Sequence, residues 1–296
     1  MPQSWVFIAA YTGAFIVLVA GTVHWRHRSR KERAPFPENL KLLRGPGETQ
    51  RRLLAELDER TVYHILFAFA APLVVAGALL QITTHLTGTW QTVCLAVTLV
   101  ALLASLLLVA HFLSARVQEW RNRYLGFFGE RIVAEFLEPL KAQGFRVFHD
   151  VPCGDAKSPF NIDHVAVGPA GVFAIETKTR RKGRSREGFA AHEIIYDGQV
   201  LAYPWGEDRH GLDQALRRAR WLENWLGLLL GQQPVVQPIL TFPGWMIIRR
   251  GSGDVVVLNP KELPAALVSR DLPVLTAEQI DLIARQLDAR CRDVEY

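Results

Sequence analysis

Long uncharged apolar segments constrain this chain more than any other feature. Residues 61–115 contain no Asp, Glu, Lys or Arg, and neither do residues 1–25. Apolar helices of about 20 residues need either a bilayer or a large protein core to cover them, and 296 residues leave no core that could hide three of them. The pattern predicts three membrane spans, at about 6–23, 62–82 and 90–113.

The first of these segments could alternatively be interpreted as a signal peptide. A signal peptide starts with basic residues and ends in small residues at a cleavage site. This segment starts without Lys or Arg and ends in His24-Trp25-Arg26-His27-Arg28. It is interpreted as a retained anchor.

Basic residues predict the orientation of the spans. The loop at 24–61 carries ten Lys/Arg, whereas the link at 83–89 carries none. The positive-inside rule therefore places the N-terminus outside and residues 114–296 in the cytoplasm, at a bacterial inner membrane. Before residue 114, ten Lys/Arg and six Asp/Glu give a net charge of +4; after it, twenty-four Lys/Arg and twenty-three Asp/Glu give +1. Most of the excess positive charge is therefore explained by membrane topology and not by a ligand.

Within the loop, residues 48–60 (ETQRRLLAELDER) predict an amphipathic helix. Three placements stay open for it: on the membrane surface, docked on the cytoplasmic domain, or as a solvated lead-in to the second span.

Residues 114–296 have the mixed pattern of one α/β domain. Short β-branched and aromatic runs alternate with amphipathic stretches, which indicates a mixed sheet. The predicted helices are 116–143, 212–229 and one that opens at Thr276. The predicted strands are 145–148, 162–167, 172–177, 194–196, 200–203, 235–242, 246–248 and 255–258, with a hairpin turn at Asp197-Gly198.

The stretch NIDHVAVGPAGVFAIETK, residues 161–178, contains the candidate chemistry. If residues 168–171 form the turn and Val167 faces Val172, then Asp163 faces Glu176, with Cβ atoms about 5 Å apart. Strand alternation puts Lys178 on the same face. A divalent cation with oxygen ligands, such as Mg²⁺, would relieve the repulsion between the carboxylates. A surface salt-bridge cluster is the alternative.

Four motifs in and around this stretch resemble those of one protein family. Gly126-Phe-Phe-Gly129-Glu130, Ile162-Asp163-His164-Val165, Gly168-Pro-Ala-Gly-Val-Phe173 and Ile175-Glu176-Thr177-Lys178 resemble the nuclease-related (NERD) domain of the PD-(D/E)xK nuclease superfamily. The likeness covers about 126–219 and continues more weakly to about 267. It implies a restriction-endonuclease-like mixed sheet flanked by helices, which would follow the three transmembrane helices predicted above. It also implies hydrolysis of phosphodiester bonds, with DNA as the expected substrate.

The resemblance also implies roles for individual residues and a cofactor, Mg²⁺ or Mn²⁺. Catalytic roles fall on Asp163, Glu176, Lys178 and Gln214, and metal-ligand roles on Asp163, Glu176 and Glu130. Arg218 resembles the basic partner of Gln214 on the same helix. Three residues have simpler alternatives: Glu130 stabilises a helix N-terminus, Arg218 is a solvated basic residue, and His164 is a packing or surface histidine.

A basic loop, residues 178–188, begins at the last residue of the candidate site and has six Lys/Arg between Lys178 and Arg186. It and one helix residue are the predicted nucleic-acid contacts: Arg180, Arg181, Lys182, Arg184, Arg186 and Arg218. Such residues contact phosphates without reading sequence. Anionic lipid is the other partner that this loop suits. The expected partners are therefore nucleic acid and the lipid bilayer, and the sequence says nothing of an oligomeric partner.

The sequence is consistent with two function classes. The first is a membrane-anchored, Mg²⁺-dependent nuclease. The second is a catalytically inactive, membrane-tethered module of the same fold that binds nucleic acid or a protein partner. A transporter or channel subunit is disfavoured, because the predicted spans carry no ionisable Asp, Glu, Lys or Arg.

Overall fold

A computed structural model describes residues 40–154, 158–269 and 274–295, together with scattered positions between 10 and 25. The chain divides into two compact units. The first comprises Met1–Asn39 and Leu54–Arg121, and the second comprises Leu40–Leu53 and Asn122–Tyr296.

The elements are named in chain order. They are β1 (Leu42–Leu43), α1 (Glu48–Thr83), α2 (Thr89–Leu137), β2 (Arg146–Cys153), β3 (Phe160–Gly168), β4 (Gly171–Thr177), β5 (Glu193–Tyr196), β6 (Leu201–Tyr203), β7 (Gly206–Asp208), α3 (His210–Leu230), β8 (Val236–Thr241), β9 (Met246–Arg249), β10 (Val256–Leu258), α4 (Leu263–Val268), α5 (Ala277–Cys291) and β11 (Arg292–Val294). Two 3₁₀ turns, Glu138–Gln143 and Pro260–Glu262, extend α2 and precede α4.

The first unit contains an antiparallel helical hairpin. Parts of α1 and α2 lie side by side on either side of a turn at residues 84–88. Small residues line the space between them, including Ala76 of α1 and Thr98 of α2, which are buried, and Ala101. Nearer the far end the His64 ring lies 5.3 Å from that of Phe112. Small side chains let two apolar helices approach closely, as they do in bilayers.

The prediction of three membrane spans is not supported by the described residues. One helical segment, Thr89–Gln143, is long and apolar enough to cross a bilayer, and it includes the predicted span at 90–113. The predicted span at 62–82 falls in α1, where the apolar helical segment among the described residues is Pro72–Thr83. Several side chains between residues 60 and 71 lie outside the described part of the structure. The predicted span at 6–23 falls mostly outside the described residues, as does the basic segment at 26–39.

The second unit is built on a mixed five-stranded sheet, in the order β10-β8-β4-β3-β2. Strands β2, β3 and β4 are antiparallel, and β4, β8 and β10 are parallel. The predicted register is confirmed: Val167 faces Val172 and Val165 faces Ala174, with Pro169 and Ala170 at the tip of the turn. Gly171, at φ 116°, supplies the backbone conformation that this turn needs.

Helices cover both faces of this sheet, as the resemblance implied. The face that carries Val165, Val167 and Ala174 packs against α3 and α5, through Ala219, Leu222, Leu226, Ile283 and Leu287. The face that carries Phe173 and Ile175 packs against the end of α2 and α4, through Val133, Leu137, Leu263 and Leu267. Asp163 and Glu176 belong by strand alternation to the α3 face.

A second sheet, in the order β7-β6-β5-β9, lies beside the first. Its hairpin at Asp197-Gly198 confirms the predicted turn, with Tyr196 opposite Leu201. Strand β7 and the pairing of β1 with β11 were not predicted. These strands have two or three residues each, which is too short for alternation to show in a sequence.

Two histidines form a cross-strand pair in the main sheet. His149 of β2 faces His164 of β3, and their Nδ1 atoms lie 2.8 Å apart. One ring must donate and the other accept, so the accepting ring is neutral at Nδ1. Burial lowers the pKa of His149 to about 4 and that of His164 well below its ordinary value. His164 is thus a packing residue, as one of its alternatives proposed.

The histidine pair predicts a loss of stability in mild acid. In the unfolded chain both rings bind protons below pH 6.5, whereas in the folded chain His149 stays neutral down to about pH 4. The free energy of unfolding should therefore fall between pH 6.5 and pH 5, by about 2 kcal/mol at pH 5 for His149 alone. Thermal unfolding of the full chain in detergent measures it. The double variant His149→Gln/His164→Gln should lose most of this slope, while His192→Gln, at an exposed site, should keep it. An equal slope in the double variant would contradict the assignment.

Candidate functional site

Two buried carboxylates meet where the β3–β4 hairpin ends. Asp163 and Glu176 are 6% and 2% exposed, and both lie beside α3. The backbone N–H of Thr177 donates a 2.8 Å hydrogen bond to Asp163 Oδ2. The hairpin register predicted from its turn therefore brings these two side chains together.

Two cations compensate the carboxylates. Arg218 Nη1 lies 3.2 Å from Asp163 Oδ1 and also bonds the Glu176 carboxylate, so it bridges the pair. Lys178 Nζ donates a 2.8 Å hydrogen bond to Glu176 Oε1. The Arg218 side chain is 12% exposed, so its alternative as a solvated residue is wrong. Burial lowers the pKa of Lys178, and the neighbouring Asp163 opposes that shift.

A third carboxyl group, Glu130 of α2, approaches the same place. It is 5% exposed, and its Oε2 atom has no hydrogen-bond partner among the described residues. Burial first, and then the charges of Asp163 and Asp150, raise the pKa of Glu130 to about 9. The group is therefore protonated at neutral pH in this arrangement.

The glycine before Glu130 explains the spacing of its motif. A Cβ atom at Gly129 would collide with Cγ2 of Thr179, just beyond the end of β4. The missing side chain lets α2 approach the strand end closely and brings Glu130 to the cavity. Its alternative, a carboxylate at a helix N-terminus, is wrong because Glu130 lies near the C-terminal end of α2.

A cavity of about 440 Å³ contains these groups. Six predicted site residues line it together: Glu130, Asp163, Glu176, Lys178, Gln214 and Arg218. From the basic loop, Arg180 and Arg181 also line the cavity, whereas Lys182, Arg184 and Arg186 do not. The cavity further includes Gln50, Asn122, Asn161, Thr177 and Thr179, none of which was a predicted site residue.

The segment Leu40–Leu53 packs in the second unit and supports the site from one side. Arg44 donates hydrogen bonds to Asp150 at 2.8 Å and to Asp293 at 2.7 Å. Asp150 is fully buried, has φ 48°, and accepts two more bonds from the backbone N–H and hydroxyl of Thr49, at 3.0 and 2.7 Å. These contacts are called the Arg44 clamp.

The residues around the Arg44 clamp reach the cavity at three points. The backbone N–H of Gly47 bonds the Glu130 carboxyl, Gln50 lines the cavity, and Asn161 of the cavity wall donates to Asp150. The start of the predicted amphipathic helix, Glu48 to Leu53, therefore docks on the second unit, which was one of its three open placements. Gly45-Pro46-Gly47 before Glu48 was the sequence signal of a chain reversal at this place.

The metal-ligand prediction is limited by the donor geometry. Nowhere in the described parts of the chain do three or more His, Cys, Asp or Glu side chains form a group arranged to hold a metal ion. Asp163 and Glu176 are joined by Arg218, whereas Glu130 lines the same cavity without an ion pair to either cation among the described residues. A role for Glu130 as third ligand stays a prediction.

A comparison with known families matches the part of the chain that carries these residues. Residues 125–243 match the nuclease-related domain, NERD. The match includes every cavity residue from Leu125 to Arg218. Of the Arg44 clamp it includes Asp150 and leaves Arg44, Thr49 and Asp293 outside. No curated protein and no solved structure matches the chain. The match ends at residue 243, within the stretch from Ala219 to about 267 where the predicted likeness is weaker, and it includes all of β8.

The Arg44 clamp gives a prediction on stability. The variant Arg44→Met leaves the buried Asp150 carboxylate without its cation, and such a loss costs about 3–5 kcal/mol. We expect a free energy of unfolding lower by about 3 kcal/mol, because Thr49 and Asn161 continue to donate to Asp150. Chemical denaturation measures it, and hydrogen exchange should show faster exchange at Thr49 and Arg51.

Lys41→Met is the matched control for this prediction. Lys41 pairs with Glu295 at 3.1 Å, and both side chains are more than half exposed. Pairs of this kind contribute about 0–1 kcal/mol. Equal losses in the two variants would show that the Arg44 clamp is no stronger than a surface ion pair.

Proposed function

We propose that the nuclease-related domain is a metal-dependent nuclease that hydrolyses phosphodiester bonds in nucleic acid, with DNA as the first candidate substrate. One observation carries the proposal: two buried carboxylates and a lysine converge at the end of one hairpin, inside a cavity lined by Arg180 and Arg181. The three residues also match the D…ExK pattern of the PD-(D/E)xK superfamily.

The donor set fits Mg²⁺ or Mn²⁺ held by two carboxylates. Mg²⁺ is a hard cation that uses one or two carboxylates and fills its other positions with water and phosphate oxygens. Asp163 and Glu176 would hold the ion. When bound, it would polarise the scissile phosphate and lower the pKa of a water.

The protein's own residues would orient the reaction. Lys178 Nζ, held by Glu176, would donate a hydrogen bond that fixes the attacking water. Arg218 would exchange its carboxylate partners for the phosphate and neutralise the charge that develops there. Gln214, one helical turn before Arg218 on α3, lies on the same cavity wall and would bond the phosphate or the water.

An inactive binding module is the second candidate function. The Arg218 guanidinium already bridges Asp163 and Glu176, at the place where an ion would bind. With Lys178 it balances both carboxylate charges, so the cluster needs no metal for its electrostatic balance. In this alternative the domain binds nucleic acid or a partner without turnover.

A nuclease assay on the full chain distinguishes the two. Purified protein in detergent is incubated with labelled DNA or RNA and with Mg²⁺, Mn²⁺ or EDTA. We expect metal-dependent cleavage that falls at least about 100-fold in Asp163→Asn and in Lys178→Met, because each variant removes a group that acts on the reacting atoms.

Two matched variants control for charge loss. Asp281→Asn and Lys141→Met alter exposed residues of helical surface pairs, and both should cleave normally. Cleavage that survives Asp163→Asn and Lys178→Met would refute the nuclease. Salt-sensitive binding of nucleic acid with no turnover under any metal would support the inactive module.

We further propose that the chain is anchored in a membrane, with the second unit on the cytoplasmic side. The apolar stretch of Thr89–Gln143 is almost wholly exposed, including Leu106, Leu107 and Leu108. An apolar surface of that extent needs a cover, and a bilayer suits an 18-residue helix without charges. The distribution of Lys and Arg supports the orientation.

Cysteine labelling in intact cells checks the orientation. A membrane-impermeant maleimide should label Thr87→Cys, in the turn between α1 and α2, without permeabilisation. It should label Ser252→Cys, on the exposed surface of the second unit, only after permeabilisation. The unsubstituted chain, with Cys94, Cys153 and Cys291, is the control. Labelling of both variants in intact cells, or recovery of the chain in the soluble fraction, would contradict the proposal.

A further inference from the structure

An exposed tryptophan stands beside the basic loop. Trp205 lies in the turn between β6 and β7 and is 46% exposed. Its ring is stacked on that of Tyr203, with centroids 5.3 Å apart and planes at 15°. The stack holds Trp205 in place, so a large aromatic surface is presented to solvent in a fixed orientation.

The basic loop, residues 178–188, connects this tryptophan to the cavity. It starts at Lys178 and Arg180 in the cavity wall. The carbonyl of Arg180 accepts a 3.1 Å bond from Trp245 Nε1, and the Trp245 ring lies 5.6 Å from that of Trp205. Farther along, Lys182 Nζ lies 5.7 Å from the Trp245 ring centroid, and Gly183 lies against Trp205.

The charge of this surface favours an anion. The basic loop and the β6–β7 turn with β7 contain six basic residues against three acidic ones, Glu187, Glu207 and Asp208. Two arginines have carboxylate partners at long range: Arg180 lies 4.0 Å from Asp208 and Arg186 lies 3.6 Å from Glu207. Exposed pairs of this length are weak, so phosphates can replace those carboxylates.

We infer that Trp205 and the basic loop form a binding site for single-stranded nucleic acid that leads into the cavity. A base would stack on Trp205 while the neighbouring phosphates contact the basic loop. Duplex bases are already stacked on each other and cannot use the indole, so an aromatic platform beside basic residues selects single strands. The inference deepens the proposed nuclease by naming its substrate class, and it rests on that function for the catalytic outcome.

Binding is measured without catalysis, so that the two hypotheses fail separately. The full chain in detergent with EDTA is titrated into a fluorescein-labelled 16-nucleotide oligo(dT), the matching oligo(U), and a 16-base-pair duplex, with anisotropy as the readout. We expect tighter binding of single strands than of duplex. Trp205→Leu should weaken single-strand binding about 10-fold or more and change duplex binding less than about twofold, since stacking contributes about 1–3 kcal/mol per base.

Further variants separate stacking from folding and charge. Trp205→Phe retains an aromatic ring and should bind within about threefold of the native chain. Arg184→Ala should weaken both ligands and reduce the salt dependence, whereas Arg285→Ala, an exposed arginine of α5, should change neither. Equal binding of single strand and duplex, or native affinity in Trp205→Leu, would overturn the inference. Trp205-dependent binding of phosphatidylglycerol vesicles with no oligonucleotide binding would also overturn it.

Cleavage is scored apart from binding. A chain that binds single strands through Trp205 but cleaves nothing with Mg²⁺ or Mn²⁺ retains the binding site and loses the proposed nuclease. A chain that cleaves duplex as fast as single strands, with no effect of Trp205→Leu on either, retains the nuclease and loses this inference.

Discussion

The repulsion between two buried carboxylates organises the second unit. Asp163 and Glu176 are placed together by a hairpin register that its turn fixes, and neither can leave without shifting a whole strand to the opposite face. Their charges must therefore be compensated where they are. Arg218 and Lys178 supply positive charge, and Glu130 is kept protonated by the same burial and the same charges. This arrangement places two carboxylates and two cationic side chains in one cavity.

The register of this hairpin, and with it the position of the two carboxylates, was predictable because the residues that determine the register are close together in the sequence. The turn at Pro169-Ala170 and the alternation of two neighbouring strands lie within 18 residues, so one register satisfied both. Resemblance then added Glu130, Gln214 and Arg218, which come from two helices far away in sequence. The mixed α/β pattern followed from apolar periodicity and the flanking helices from the resemblance, and the last helix does open at Thr276, where a capping box forms.

Features that depend on distant partners could not be predicted. Nothing near Arg44 shows that Asp150 and Asp293 will surround it, because the partners are 106 and 249 residues away. Short strands such as β7 take their conformation from a neighbouring strand and show no pattern of their own. The membrane spans were predicted from apolar length alone, which indicated three, and the described residues contain one helical segment that is long and apolar enough to cross a bilayer.

The Arg44 clamp makes the second unit a discontinuous domain. Its first strand and buried arginine come from Leu40–Leu53, residues 54–121 belong to the other unit, and the remainder follows. The ribosome must therefore complete the apolar hairpin before Arg44 can meet Asp150, and it must reach β11 before β1 has a strand to pair with. A fragment cut at the limits of the nuclease-related match would lack Arg44, Gly47 and Gln50, and would leave Asp150 buried without its cation.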